Sequence, residues 1–153
     1  MTSDQLVSPI SSELIASLLS LAWSTFVGEA ADEVEPTAME PDVICASIAI
    51  GGPWRATVLL FCGRTLATSC TAAVLGSPAD ELTDEDVHDV MGELVNIIGG
   101  NLKGIVGDAA GDWTLSLPVV SNGVQSVPGS RLAARAHFRC EGAVLACDVR
   151  EQD

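Results

Sequence analysis

Positive charge is what this chain most lacks. Its 153 residues include one lysine, Lys103, and six arginines against 21 acidic residues, for a formal net charge of −14. A polyanion such as nucleic acid would be repelled, and no basic patch offers it a footing. An anionic membrane surface is disfavoured for the same reason. Metal-binding patterns are missing as well. His88 and His137 stand alone, and Cys45, Cys62, Cys70, Cys140 and Cys147 form no CxxC pair. No metal site is therefore expected. No apolar run approaches the roughly 20 residues of a membrane helix. The opening MTSDQLVSP lacks the basic region of a secretory signal. Together these gaps lead to the expectation of a soluble, cytoplasmic protein whose partner is a protein or a small molecule, not nucleic acid and not a membrane.

What is present suits a globular domain. Hydrophobic residues make up 48% of the chain, enough to build a core and too many for general disorder. The length fits one domain over 1–153. Four of the five cysteines sit in apolar, strand-like stretches, where reduced core thiols are expected. Residues 1–28 should hold an N-terminal helix, capped by Ser11 or Ser12 and reaching Val27. Residues 29–42, acidic and carrying Pro36 and Pro41, read as a solvated connector. The sheet and the longest helix should occupy 43–150. Within them, 43–50 and 54–62 read as a strand pair turned by Gly51-Gly52-Pro53. A short helix follows over 64–75, ended by Gly76 and Pro78. A strand over 113–120, broken at Pro118, precedes a turn at Ser121-Asn122-Gly123. A last hairpin is expected over 132–139 and 143–150, around Glu141-Gly142. The fold class is α+β: an antiparallel-rich sheet packed against long helices.

The most informative segment is the helix expected over about 83–106, DVMGELVNIIGGNLKG at its centre. Thr83 and Asp86 resemble a capping box. At about 100° per residue, Val87, Val90, Met91, Leu94, Ile98, Leu102 and Ile105 share a core face. Asp86, Asp89, Glu93, Asn96, Gly100, Lys103 and Gly107 share the opposite face. Glu93 and Asn96 are three apart and emerge as neighbours. A merely solvated face would carry good helix formers, yet this one carries Asn96 and Gly100. A helix-interior glycine costs about 1 kcal/mol against alanine. Either another backbone packs closely there, or something large must approach the exposed face. Asn101, at the edge of the apolar arc, reads as structural, bonded to a loop or strand. Lys103 suits the helix C-terminus as a cation. Asp89 has an equally ordinary reading as an early-turn carboxylate.

Asp89-x-x-x-Glu93-x-x-Asn96 resembles the acidic-or-Ser, Glu, Asn pattern of the CheC/CheX/FliY chemotaxis phosphatases. In that family a proline follows farther along the chain. Here Leu117-Pro118-Val119-Val120 takes its place, with 21 residues between Asn96 and Pro118. The strand pair VICASIAIGGPWRATVLLFC and the small helix after it resemble the family's opening sheet, so the likeness covers most of the chain from Val43 onward. The first helix, SSELIASLLSLAWSTF, has Glu13 but Ala16 where a second motif would need Asn. One motif per chain resembles CheX more than CheC, and implies a homodimer joined through the sheets.

The resemblance implies a substrate: the aspartyl phosphate of a CheY-like response-regulator receiver domain. Asn96 would orient the attacking water. Glu93 would pair with the receiver's lysine. Asp89, Gly100 and Lys103 would meet the partner, Asn101 and Pro118 would shape the motif, and Mg²⁺ would come with the receiver, leaving no cofactor of the chain's own. Because receiver sites are acidic, the surplus negative charge is expected away from the docking face. The alternatives are a non-catalytic receiver-binding or dimerisation module of the same fold and a flagellar-switch or scaffold component. A nucleophilic enzyme using Ser69 or Cys70 has no supporting His/Asp arrangement in the sequence.

Overall fold

A computed structural model describes residues 10–28, 31–35, 37–107 and 111–153. The opening MTSDQLVSP and, in the expected connector, Glu29 and Pro36 lie outside these residues. Ser11 caps helix α1 (Ser12–Ala22), accepting from the Leu14 N–H. The helix widens into a π turn, Trp23–Val27, and stops at Gly28, whose φ of +85° is the left-handed conformation that glycine adopts freely.

The connector is not wholly a solvated loop. Asp32–Val34 forms a short strand, β1, paired antiparallel to β6 (Ser130–Cys140). Three residues, two of them acidic, carry no strand signal in sequence, yet they suit a sheet edge, where charge discourages further pairing. The central strands β2 (Val43–Gly51) and β3 (Arg55–Gly63) form the expected pair. Helix α2 (Arg64–Leu75) and a 3₁₀ turn (Ala79–Glu81) lead into helix α3 (Asp84–Val106).

The single strand expected over 113–120 is two: β4 (Thr114–Leu115) and β5 (Val119–Asn122), both paired to β2. Pro118, lacking an N–H, separates them. The pairing then continues through Ser121 and Asn122, so the expected turn begins only at Gly123, with φ +92°. Strands β6 and β7 (Ala143–Gln152) close the chain as a hairpin. Its turn is at Glu141 (φ +49°) and Gly142 (φ +80°), the positive-φ pair of a twist-compatible two-residue loop.

The strand order is β1-β6-β7-β3-β2-β4, with β5 also on β2, and every pairing is antiparallel. Alternation along β2 and β3 sends Ile44, Ala46, Ile48, Ile50, Val58 and Leu60 to one face. There they form a single core with α1, α2 and α3. Each fully buried aliphatic side chain contributes about 1.5–3 kcal/mol. All five cysteines are buried. Burial pushes the Cys45, Cys62 and Cys147 thiols up, away from reactive thiolate. The other face of β2 is crossed by the chain after β5. There the Gln125 amide donates to Cys45 O and Val119 O at 3.0 Å, and its oxygen accepts from Ser47 Oγ at 2.5 Å. Among the described residues no helix is long and apolar enough to cross a membrane.

Candidate functional site

Helix α3 is held by its start, its buried face and its glycines. The Thr83 hydroxyl accepts from Asp86 N–H at 3.1 Å, and the Asp86 carboxylate accepts from Thr83 N–H at 2.9 Å, completing the expected capping box. Val87, Val90, Met91, Leu94, Ile98 and Leu102 are buried as their periodicity requires. Ile105 is not: it is 55% exposed while Leu102 is sealed and Val106 still packs against the core, so the buried arc is narrower at the last turn.

The two central glycines differ. A Cβ on Gly99 would lie 2.5 Å from Ile48 Cγ2, so Gly99 lets the helix settle onto β2. A Cβ on Gly100 would meet only Leu115 Cδ2, at 3.9 Å, an ordinary contact. Close packing therefore explains Gly99 and leaves Gly100 facing room. A Cβ on Gly92 would lie 3.4 Å from Val120 Cγ2 and 3.5 Å from Pro118 Cβ. Leu115, Pro118 and Val120 thus line one flank of α3, and Asn96 emerges next to that flank.

Asp89 and Glu93 are exposed, and Asn96, Gly100 and Lys103 are half-buried. Among the described residues, no hydrogen bond or ion pair engages the side chains of Asp89, Glu93, Asn96 or Lys103. One convex face therefore presents a neutral carboxamide and a carboxylate, both uncommitted. Asn101 departs from its expected structural role. Its side chain is exposed and bonds to no loop or strand among the described residues, because it lies on the side of α3 opposite β4 and β5. Pro118 directly precedes β5 and lies over Gly92.

Part of the surplus charge lies close to this face. Asp80, Glu81, Asp84, Glu85, Asp86, Asp89 and Glu93 run into and along α3. Capping and the positive end of the helix dipole favour carboxylates in the first turn, which explains the densest part of the run. One cation answers it. Arg64 reaches Asp42 at 3.0 Å, Asp84 at 3.3 Å and Asn122 Oδ1 at 3.0 Å, tying the start of α2 to β5 and to the first turn of α3. His88 Nε2 lies 3.3 Å from the same Asn122 oxygen. This cluster was missed in sequence. Its one signal is that Arg64 is the last basic residue before Lys103.

The residues of the nucleophile reading are otherwise placed. Cys70 is buried, and Ser69 Oγ donates to Glu141 Oε2 at 3.0 Å without a histidine. Among the described residues no three His, Cys, Asp or Glu side chains gather as a metal site would need. A cavity of about 620 Å³ beside α2, lined by Glu40, Asp42, Arg64 and Ser69 among others, includes neither Glu93 nor Asn96. The Glu93/Asn96 face is a surface, suited to a macromolecular partner.

Comparison with known proteins bears on the family and the fold. The family model "Chemotaxis phosphatase CheX" matches residues 44–131, which include α3 and Pro118. Among solved structures, the chain is similar to the chemotaxis protein CheX from Vibrio vulnificus. The two are 20% identical over 90% of this chain and 93% of that one, with a TM-score of 0.72. The CheX protein from Desulfovibrio desulfuricans is 18% identical over 92% and 98%, with a TM-score of 0.73. A CheX-CheY-BeF₃-Mg²⁺ complex from Borrelia burgdorferi is 14% identical over 92% and 97%, also with a TM-score of 0.73. No curated protein matches the chain.

Proposed function

Because the chain belongs to the CheX family of chemotaxis phosphatases, we propose that it hydrolyses the aspartyl phosphate of a CheY-like receiver domain, using Asn96 and Glu93. The observation that carries this reading is the unengaged Glu93/Asn96 pair on the open face of α3, beside Pro118. A catalytic residue already locked into internal hydrogen bonds would have to break them to serve a substrate.

In this reading α3 lies across the receiver's phosphorylated site. The Asn96 carboxamide accepts from the attacking water and donates to it while staying neutral. That holds the water oxygen in line with phosphorus, as a glutamine does in GTPases. The water oxygen bonds to phosphorus, and the bond from phosphorus to the aspartyl oxygen breaks. Both protons of the water leave with the inorganic phosphate, as H₂PO₄⁻, and the aspartate returns as carboxylate. Mg²⁺ arrives with the receiver as part of the substrate and neutralises charge on the phosphoryl oxygens. Glu93 pairs with the receiver's lysine and fixes the register of α3. Asp89 and Lys103 meet the receiver's rim, and Gly100 leaves room for it. Positioning of this kind can remove several kcal/mol from a barrier.

The same reading has the protein work in the cytoplasm as a homodimer. Its interface would use the sheet face opposite the helices, where Phe61 and Arg139 lie. The CheX-CheY complex known from Borrelia burgdorferi supports the choice of a CheY-like receiver.

Phosphate release from a purified phosphorylated receiver tests the proposal. Wild type should accelerate release, Asn96→Ala should remove the acceleration, and Glu93→Ala should chiefly weaken binding. Binding of the receiver without acceleration would replace the phosphatase by a receiver-binding module. Light scattering of the protein alone checks the dimer, and a monomeric mass at micromolar concentration would reject it.

A further inference from the structure

The link between β4 and β5 carries the most exposed large apolar side chain among the described residues. Leu117 is 84% exposed, against 41–67% for the other exposed large apolar residues. A single exposed leucine needs no explanation by itself. This one differs in how firmly and where it is held.

The backbone on either side of Leu117 is pinned. Before it, Ser116 N–H donates to Ala49 O at 2.9 Å. Ser116 Oγ accepts from Ala49 N–H at 2.9 Å and donates to Leu117 O at 3.0 Å. After it, Pro118 has a ring-restricted φ and packs over Gly92, and Val119 O accepts from the Gln125 amide at 3.0 Å. The side chain is thus displayed on a fixed backbone, not on a loose loop.

Its position follows from the contacts on each side. Leu115 lies against Gly99 and Gly100, and Pro118 lies against Gly92. From Gly92 to Gly99 the helix rises about 10 Å, and three residues of extended chain span about the same distance. The link therefore runs antiparallel along α3, which puts Ser116 and Leu117 level with residues 94–97. Asn96 emerges from α3 on that flank.

We infer that Leu117 is a docking residue of the phosphatase site: it seats on an apolar patch of the receiver bordering the aspartyl phosphate, and so helps select the receiver. The inference rests on the receiver-phosphatase reading above and extends it from the helix to the edge of the sheet. The charged face of α3 sets register. The apolar side chain beside it excludes water from the rim of the contact. An anchor already held in its bound position loses little conformational freedom when the partner arrives.

Such a residue acts on binding and not on the water. The test compares wild type, Leu117→Asp, Leu117→Met and Leu21→Asp. Leu21 is 59% exposed on α1 and serves as a remote control. Affinity is read against a CheY-like receiver loaded with BeF₃ and Mg²⁺, and KM and kcat against the phosphorylated receiver. Leu117→Asp should raise both Kd and KM by about tenfold or more while leaving kcat within about twofold. Leu117→Met and Leu21→Asp should stay near wild type. Unchanged Kd and KM in Leu117→Asp, with wild type active, would overturn this inference and leave the phosphatase reading intact. So would a fall in kcat alone. A wild type that neither binds nor dephosphorylates any receiver would overturn both.

Discussion

Helices α1 and α3 lie on the same face of the sheet, α1 against β6 and α3 against β2, each one strand in from an edge. Each carries a glutamate with a decisive residue three positions on: Glu13 and Ala16 in one, Glu93 and Asn96 in the other. Ala16 is packed at 6% exposure, whereas Asn96 opens to solvent. The flanking edges differ too. Beside α1, the acidic strand β1 shares a hollow with Glu13, Ala16 and Phe138. Beside α3, the pinned Ser116-Leu117-Pro118 link leaves the motif face clear. A helix in the right place is thus not a site. The residue at the third position, and what the neighbouring edge displays, distinguish the face proposed to meet a receiver from the one that is packed.

The comparison breaks most simply at the motif. Asn96→Ala should slow phosphate release about 100-fold or more by losing the positioned water, while Glu13→Ala should leave it within about twofold. Single-turnover measurements on a phosphorylated receiver decide this, and equal losses would erase the distinction between the helices. Next in size is the seat of α3. Gly99→Ala should cost about 1–3 kcal/mol in urea unfolding, because the new methyl meets Ile48, a stiff β-branched side chain with nowhere to turn. A cost of similar size is expected from Ala16→Asn, which buries an amide without a planned partner. Added to Asn96→Ala, it should restore no phosphatase activity, since its side chain does not reach the surface. Gly100→Ala should act in opposite directions on two readouts. It stabilises the fold by about 0.5–1 kcal/mol through helix propensity, yet weakens receiver binding by filling the space α3 keeps open.

The smallest effect lies on β6, at His137, which pairs with Val34 of β1. Burial, helped by the Arg135 guanidinium, lowers the His137 pKa, while Asp148 opposes. The unfolded chain therefore takes up a proton that the folded chain resists as pH falls below about 6.5. This contribution to stability is complete above that pH and lost beneath it. Urea midpoints at about pH 7.5 and about pH 5.5 should converge in His137→Gln relative to wild type.

The helices and central strands were legible because long apolar periodicity survives any tertiary detail. The capping box was legible because its partners are three residues apart. Strand β1 was not, since a three-residue acidic edge strand is defined by Arg139, Phe138 and His137 across from it. The exposure of Ile105 was hidden for a related reason: periodicity gives a direction around the helix but not how wide the buried arc is at each turn. Adjacent glycines look alike in sequence, and only Ile48 and Leu115 distinguish Gly99 from Gly100. Arg64 was invisible because Asp42, Asp84 and Asn122 come together only in the fold. The motif itself was found through resemblance. Spacing alone put Glu93 and Asn96 on one face and could say nothing of Leu117 beside them.

The capping box at Thr83 and Asp86 also sets how α3 moves. Its first turn is locked by two reciprocal hydrogen bonds. Gly99, Gly100 and Gly104 gather toward its far end, and a Cβ on Gly104 would meet nothing within 4 Å. Beyond the first turn, the buried face keeps α3 seated on the sheet through Gly99 and Leu102, and amide exchange is expected to quicken only at the exposed turn of Gly104 and Ile105. Asn96 stands within the seated stretch, between Gly92 and Gly99. On the proposed reading, the Asn96 carboxamide is carried by the seated stretch, and only the exposed last turn is left to follow a partner's surface.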